Sequence, residues 1–366
     1  MSALNPAEAA RFREALRAAL SGPALDWAEP PDELAGGFEN RVVAARLAKA
    51  PALAQPLILR IYAPDRPPET ARFEATVHCA LADQGYPAPR VHVFREASAG
   101  RPAFTLMDRA PGRVLLSRVA HLGDLFSGPG ALVGIPRLVH EAAFRVPVEL
   151  ARLMLDLHAL DAERVWCALG DADLEPARFT PGARVDQLRA RAERAGLAGL
   201  IPVLEWLRER RPAEPAPGDR VVCHSDFHFL NVLVDGRTVT GVIDWSIAHF
   251  AFAEREFDVG NACALYSLEM PMPAVVGSLF ARLQRRLRDG FRRHYEARTP
   301  LDPEAVRWAE VFRFAREMVP VAERLATGRP PRHGTPWEVP SIRAGVLRAL
   351  RAHTGLPVSL PAAPHA

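Results

Sequence analysis

A chain of 366 residues, 49% hydrophobic and 24% charged, can bury a full core, is long enough for two lobes, and has the make-up of an ordinary globular protein. Its 46 basic side chains leave a net charge of only +3, which argues against nucleic acid as a partner. Cys79, Cys167, Cys223 and Cys263 lie far apart with no CxxC pair, so neither a zinc site nor a disulfide framework is expected and a reducing compartment fits. The opening "MSALNPAEAARFREAL" lacks the apolar stretch of a signal peptide, and nowhere do 18 consecutive apolar residues occur. The expectation is a cytoplasmic protein with no membrane span, monomeric or homodimeric.

Residues 1–22 read as an N-terminal helix. Asn5, Pro6 and Glu8 supply an N-cap, a first-turn proline and a capping-box acid, and Ala9, Phe12, Leu16 and Leu20 recur at helical spacing until Gly22. A proline-rich loop follows, and then the period changes. "RVVAARLA" and "PLILRIYA" are short and rich in branched residues, and "KAPALAQ" joins them as a hairpin connection holding Lys49, the chain's one lysine. "ETARFEATVHCALADQGY" is helical, with Phe73, Val77 and Leu81 on one side; "RVHVFR" and "AFTLMD" are two further strands. Residues 23–107 thus form a small strand-rich lobe, and 108–112 ("DRAPG") a connector. From 113 to 353 the character is helical: Leu150, Leu153, Met154 and Leu157 mark a core helix, and "VDQLRARAERAGL" and "IPVLEWLRERR" are amphipathic. Residues 354–366 read as a frayed tail. The segment 115–146 is unusually apolar for a connector; it either covers a cleft or forms a partner surface, and both readings stay open.

Within "VVCHSDFHFLNVLV" the apolar ends enclose His224, Asp226, His228 and Asn231, groups that cost several kcal/mol to bury without partners. The spacing is H-x-D-x-x-x-x-N. A second aspartate, Asp244, follows a hairpin whose turn is Asp235-Gly236. Phosphoryl transfer from ATP needs this set: one carboxylate to orient the attacking hydroxyl and take its proton, and an amide oxygen with another carboxylate to hold magnesium, which prefers hard oxygen ligands. The hairpin is the device that returns Asp244 to the same end as Asn231.

These residues resemble the aminoglycoside phosphotransferase/choline kinase-like family, distant relatives of protein kinases. The likeness runs from "LAGGFENRVV" to "EFDVGNA" and is strongest in "HSDFHFLNVLVDGRTVTGVIDW", where Ser225 stands in place of the family's usual glycine. The resemblance implies an α+β, two-lobed protein-kinase-like fold. Its small antiparallel sheet of five strands with one helix precedes a larger, mostly helical lobe, with ATP and Mg2+ between them. It implies that Asp226 is the catalytic aspartate, that Asn231 and Asp244 bind magnesium, that His224 braces the loop, and that Asp258 ties the loop to its lobe. Gly36, Gly37 and Asn40 in "AGGFEN" would let backbone N–H groups approach phosphate. The family's strand lysine falls where this chain has Arg60, which would hold the α- and β-phosphates with Glu74 as ion-pair partner and Glu69 as its rival. Met107 and Asp108 would sit at the hinge beside adenine.

Blander readings stand beside several of these. His228 serves the site or is a hydrogen-bonded structural histidine; His158 reads as structural and Trp245 as core; Arg60 and Glu74 are alternatively a solvated strand residue and a surface acid. The arginine-rich run 281–298 reads as a solvated face that would repel a polycationic acceptor if it lined the pocket. The expected activity is transfer of the ATP γ-phosphate to a hydroxyl of a small molecule. The competing reading is a nucleotide-binding pseudokinase that senses or scaffolds, motivated by Arg60 and the non-standard glycine loop.

Overall fold

The computed structural model describes residues 4–34, 40–98, 100–118, 139–268, 274–330 and 335–362. The chain divides into two compact units: one of residues 1–113, 164–175 and 232–248, the other of residues 114–163, 176–231 and 249–366.

The first unit begins with α1 (Pro6–Ala19), whose N-cap Asn5 accepts a hydrogen bond from the Glu8 N–H at 2.9 Å. Five antiparallel strands follow: β1 (Asp32–Glu33), β2 (Arg41–Ala45), β3 (Leu57–Ile61), β4 (Val91–Arg95) and β5 (Phe104–Asp108), in the spatial order β1-β2-β3-β5-β4. The β2–β3 register pairs Arg41 with Ile61 and Ala45 with Leu57; Lys49 takes a left-handed φ of 58° in their connection. Because side chains alternate along a strand, Leu57, Leu59 and Ile61 share one face, where they pack with Val43, Phe104, Leu106 and α1's Phe12 and Leu16. Burial of each such side chain stabilises the sheet by roughly 2 kcal/mol. The other face holds Ile58 and Met107, packed with Ala75 of α2 (Thr70–Ala82). Arg60 and Thr105, paired across β3 and β5, lie on that second face.

The first unit also contains the hairpin of β7 (Val232–Asp235) and β8 (Thr238–Val242), turned at Gly236 with φ 54°. Gly112 (φ 93°) runs against this hairpin. A Cβ there would lie 2.0 Å from the Val234 carbonyl oxygen, so no other residue fits.

In the second unit a two-stranded ribbon joins β6 (Val221–Cys223) to β9 (Ala251–Ala253). Around it stand α3 (Val146–His158), α4 (Pro181–Arg194), α5 (Ile201–Glu209), α6 (Arg255–Tyr266), α7 (Ala274–Glu296), α8 (Pro303–Ala326) and α9 (Pro340–Thr354). The core centres on α8: Trp308 stacks on Phe312 at 5.7 Å, both meet Phe257, and the Trp308 indole donates to the Leu207 carbonyl. Gly260 lets α6 close on α8, since a Cβ would come 2.5 Å from the Val306 carbonyl oxygen. Of the apolar segment 115–146, residues 119–138 lie outside the described residues; 139–145 lead helically into α3. Among the described residues no helix is long and apolar enough to cross a membrane.

Candidate active site

In the first unit the alternation of β3 turns Arg60 toward α2, whose inward side carries Glu74. Arg60 Nη1 lies 3.4 Å from Glu74 Oε2, and Arg60 Nη2 donates to Asp244 Oδ1 at 2.6 Å. Asp244 follows β8 in a left-handed conformation (φ 67°), which aspartate tolerates better than most residues, and the Ser246 N–H donates to its carbonyl at 2.8 Å. Tyr62 hydroxyl donates to Glu74 Oε2 at 2.7 Å. Burial pushes the Glu74 carboxyl up to about 7, with Asp244 pushing the same way and Arg60 pulling against both. Burial also opposes the Arg60 charge, but Glu74 and Asp244 outweigh it, so the guanidinium is held protonated more firmly than in water. The result is a permanent cation fixed between two acids.

In the second unit β6 delivers His224-Ser225-Asp226. Ser225 adopts φ 56°, a conformation that glycine takes up without a side-chain penalty; its hydroxyl is buried without a hydrogen-bond partner. The Asp226 carboxylate is held from two sides. Arg313 of α8 donates from Nη2 to Oδ1 at 2.8 Å and from Nη1 to the Ser225 carbonyl at 2.6 Å. Oδ2 faces His228 Nε2 and His249 Nδ1, each 3.6 Å away. Burial alone would raise this carboxyl, but the charge of Arg313, followed by His249 and His228, holds it well below the usual carboxylate range. Asn231 Nδ2 donates to the Asp226 carbonyl at 3.0 Å, which commits the amide nitrogen and leaves Oδ1 as its ligand atom. The Leu230 N–H donates to His228 Nδ1 at 3.2 Å, a contact that fixes the imidazole beside Asp226.

The loop is braced from behind. Asp258 of α6 accepts the N–H of His224 at 3.0 Å and that of Ser225 at 2.7 Å; His158 Nε2 lies 3.3 Å from its Oδ2, and His158 Nδ1 meets the Tyr295 hydroxyl at 2.6 Å. His158, Cys223 and Asp258 bring three potential ligand atoms within 4.8 Å of one another. Both Asp258 oxygens and both His158 nitrogens are engaged in this hydrogen-bond chain, which accounts for their burial. His224 Nδ1 accepts the Asp226 N–H at 3.3 Å.

Of the residues singled out from sequence, Arg60, Glu74 and Asp244 meet in one cluster, Asp226 and Asn231 in a second, and His224 and Asp258 in the brace. Met107 is buried in β5. Asp108 Oδ1 takes His92 Nε2 at 2.7 Å and Gln55 Nε2 at 2.8 Å, and the Asp108 N–H donates to the Arg90 carbonyl. Asn40 directly precedes β2, whereas Gly36 and Gly37 lie outside the described residues. Trp245 is fully buried, its indole donating to the Val242 carbonyl. Arg313 and His249 were not foreseen. The signal for Arg313 was present in "VFRFAREMV", where Arg313, Arg316 and Glu317 interrupt an apolar helix at spacings of three and four.

An antiparallel sheet packed with α1 and α2 in one unit, a mostly helical second unit and a braced H-x-D-x-x-x-x-N loop together define a protein-kinase-like phosphotransferase. The model of the phosphotransferase enzyme family designated APH matches residues 32–308, and the chain belongs to that family. Three solved structures are similar over nearly the whole chain. A Ralstonia eutropha JMP134 protein described as a "putative aminoglycoside phosphotransferase" has a TM-score of 0.59 at 17% identity, covering 95% of this chain and 96% of that one. Macrolide 2'-phosphotransferase type I has a TM-score of 0.50 at 18% identity, covering 99% and 100%. A Plasmodium vivax ethanolamine kinase has a TM-score of 0.50 at 13% identity, covering 92% and 83%. At such identities the likeness is one of fold. No curated protein sequence matches the chain significantly.

Proposed function

We propose that the chain is an ATP- and Mg2+-dependent small-molecule kinase that moves the γ-phosphate to an alcohol hydroxyl, with Asp226 as catalytic base. The observation that carries this reading is the Asp226 carboxylate. It is buried and kept ionised by Arg313, and its second oxygen faces the imidazoles of His228 and His249 and the amide of Asn231. An ionised, immobilised carboxylate accepts the hydrogen bond of an incoming hydroxyl and sets the oxygen in line for attack. Its low basicity is no obstacle, because a loose phosphoryl-transfer transition state needs orientation first and accepts the proton late.

Asn231 Oδ1 and the Asp244 carboxylate are the residues that would hold magnesium. The donor set fits, being two hard oxygens with the amide nitrogen already committed. Asn231 directly precedes β7, and the β7–β8 register pairs Val232 with Val242, two residues before Asp244. Bound there, the ion would supply neutralisation of phosphate-oxygen charge. Arg60, kept cationic by Glu74, would take phosphate oxygens bidentately in the role lysine plays in similar proteins. The backbone of residues 108–112 would face the base. The names of the similar structures speak of aminoglycosides, a macrolide and ethanolamine, in keeping with a small-molecule acceptor.

An acceptor screen read by ADP release and by mass of the product tests the proposal. Magnesium-dependent appearance of a phosphorylated alcohol supports it; nucleotide binding without transfer to any acceptor would favour a pseudokinase.

A further inference from the structure

We infer that Arg316 is a positioning residue for Asp226: with Arg313 it grips the Ser225 carbonyl and holds the left-handed turn that presents the proposed base. This rests on the phosphotransferase reading and deepens it.

The backbone from His224 to Asp226 is gripped by opposite charges. The carboxylate of Asp258 in α6 takes the N–H groups of His224 and Ser225. Against it, two guanidiniums of α8 converge on a single oxygen: Arg313 Nη1 donates to the Ser225 carbonyl at 2.6 Å and Arg316 Nη2 donates to it at 3.1 Å. Hydrogen bonds with an ionised partner are roughly twice as strong as neutral ones. The carbonyl so fixed belongs to the peptide that leads into Asp226. Between the acidic and the basic grip Ser225 has φ 56°, which a residue bearing a Cβ adopts only against a steric penalty. Released by either partner, the loop can leave that conformation, and the Asp226 carboxylate turns with it.

Arg316 and Glu317 follow Arg313 by three and four residues, the helical spacing that makes neighbours. Glu317 Oε1 lies 3.2 Å from Arg313 and 3.4 Å from Arg316, so with Asp226 two acids stand beside two cations. Each guanidinium also lies over a core aromatic ring, Arg313 over Trp337 at 5.5 Å and Arg316 over Phe312 at 5.8 Å. Stability alone does not account for Arg316. Its Nε is buried without a hydrogen-bond partner, and burial, with Arg313 adding like charge, brings the guanidinium down to about 10. A buried ion network carries a desolvation penalty that apolar side chains of similar size avoid. What an apolar side chain cannot supply is a donor to the carbonyl beside the base. Because Glu317 also has Arg313, removing Arg316 strands no acid in this cluster, and an Arg316 variant reports on the loop.

Arg316→Met and Arg316→Lys are made in the full-length chain, each alone and together with Ser225→Gly, and assayed with Mg-ATP and an acceptor that the wild-type chain phosphorylates. Arg316→Met should lower kcat at least tenfold with the KM for Mg-ATP within about threefold, and Arg316→Lys, which keeps a donor, should regain part of the loss. With Ser225→Gly present, the same Met change should lower kcat less than about threefold, because glycine takes the left-handed turn without the penalty that the two arginines offset. A second readout needs no acceptor. Ser225-Asp226 is the one Ser-Asp step in the sequence, so labelling serine at its carbonyl carbon and aspartate at its nitrogen gives a single peptide signal in NMR. Loss of a donor should move that carbonyl upfield in Arg316→Met. An unmoved carbonyl, or kcat within about twofold of wild type, overturns the inference. An equal loss in both backgrounds, with KM rising in step, is the mark of a weakened fold and overturns it as well. Transfer to no acceptor by the wild-type chain removes the phosphotransferase reading, and the positioning role with it.

Discussion

Arg313 Nη2 lies 2.8 Å from Asp226 Oδ1, a buried ion pair spanning 87 residues of sequence that joins the last long core helix to the loop carrying the proposed base. The same guanidinium takes the Ser225 carbonyl, so one side chain fixes both the backbone and the carboxylate of the loop. Removing one partner of a buried pair leaves the other charge uncompensated and costs on the order of 3–5 kcal/mol. Arg313→Met should therefore lower the unfolding free energy by that order and reduce kcat at least a hundredfold, while the KM for nucleotide changes less than threefold. Arg313→Lys should recover part of both losses. Denaturant unfolding and steady-state kinetics on the same preparations check this, and a Met variant with wild-type kcat would remove Arg313 from the account.

Arg60 and Glu74 make a separable prediction. Arg60→Met should weaken nucleotide binding at least tenfold, since a charge-assisted contact to phosphate is worth about 1.5–3 kcal/mol, and should destabilise the fold by exposing Glu74 to an unpaired burial. Adding Glu74→Gln to that variant should restore stability but not affinity. Calorimetric titration with Mg-ATP and thermal melts read the two effects apart; joint recovery of both would mean that Arg60 serves stability alone.

Ser225 sits at φ 56° with a buried hydroxyl that has no hydrogen-bond partner. A left-handed non-glycine residue costs about 1–2 kcal/mol, against roughly 0.5–1 kcal/mol for the extra chain entropy of glycine. Ser225→Gly should raise stability by about 1 kcal/mol and keep kcat within twofold. Chemical denaturation decides it, and a loss of stability would show that the serine hydroxyl has a role the contacts do not reveal.

Glu254, at the start of α6, has a buried Oε1 without a hydrogen-bond partner. Burial pushes its carboxyl up to about 7 from an ordinary 4.5; its own backbone N–H pulls down, and Glu256 and Glu214 add a little upward. The native state thus binds this proton more tightly than the unfolded chain. Its contribution to stability is fully present below 4.5 and is lost as pH rises toward 7. The loss should be about 2 kcal/mol, allowing for partial exposure. Glu254→Gln should remove that slope. Unfolding free energies of both proteins across this pH range test it, and parallel curves would contradict the assignment.

What the sequence could reveal followed from how far each signal reaches along the chain. The five-stranded sheet was legible because alternation in "PLILRIYA" and "AFTLMD" is a local property, as is the N-cap at Asn5. The loop from His224 to Asn231 was legible because its polar groups sit close together within an apolar stretch. Arg313 and His249 were not, because nothing local separates an arginine that reaches a distant aspartate from one that reaches solvent; only the packing of α8 against α6 decides that. The same limit hid the Arg60–Asp244 contact, which joins positions 184 residues apart. The partners of Asp108 Oδ1, His92 and Gln55, are likewise ones that no motif encodes.

The central claim is that Asp226 positions and deprotonates an alcohol for phosphoryl transfer. Its most direct test is Asp226→Asn with an acceptor that the wild-type chain phosphorylates, measuring turnover together with Mg-ATP affinity. The expected result is turnover reduced by at least a thousandfold with nucleotide affinity within about threefold of wild type. An asparagine variant that keeps most of its rate would contradict the account.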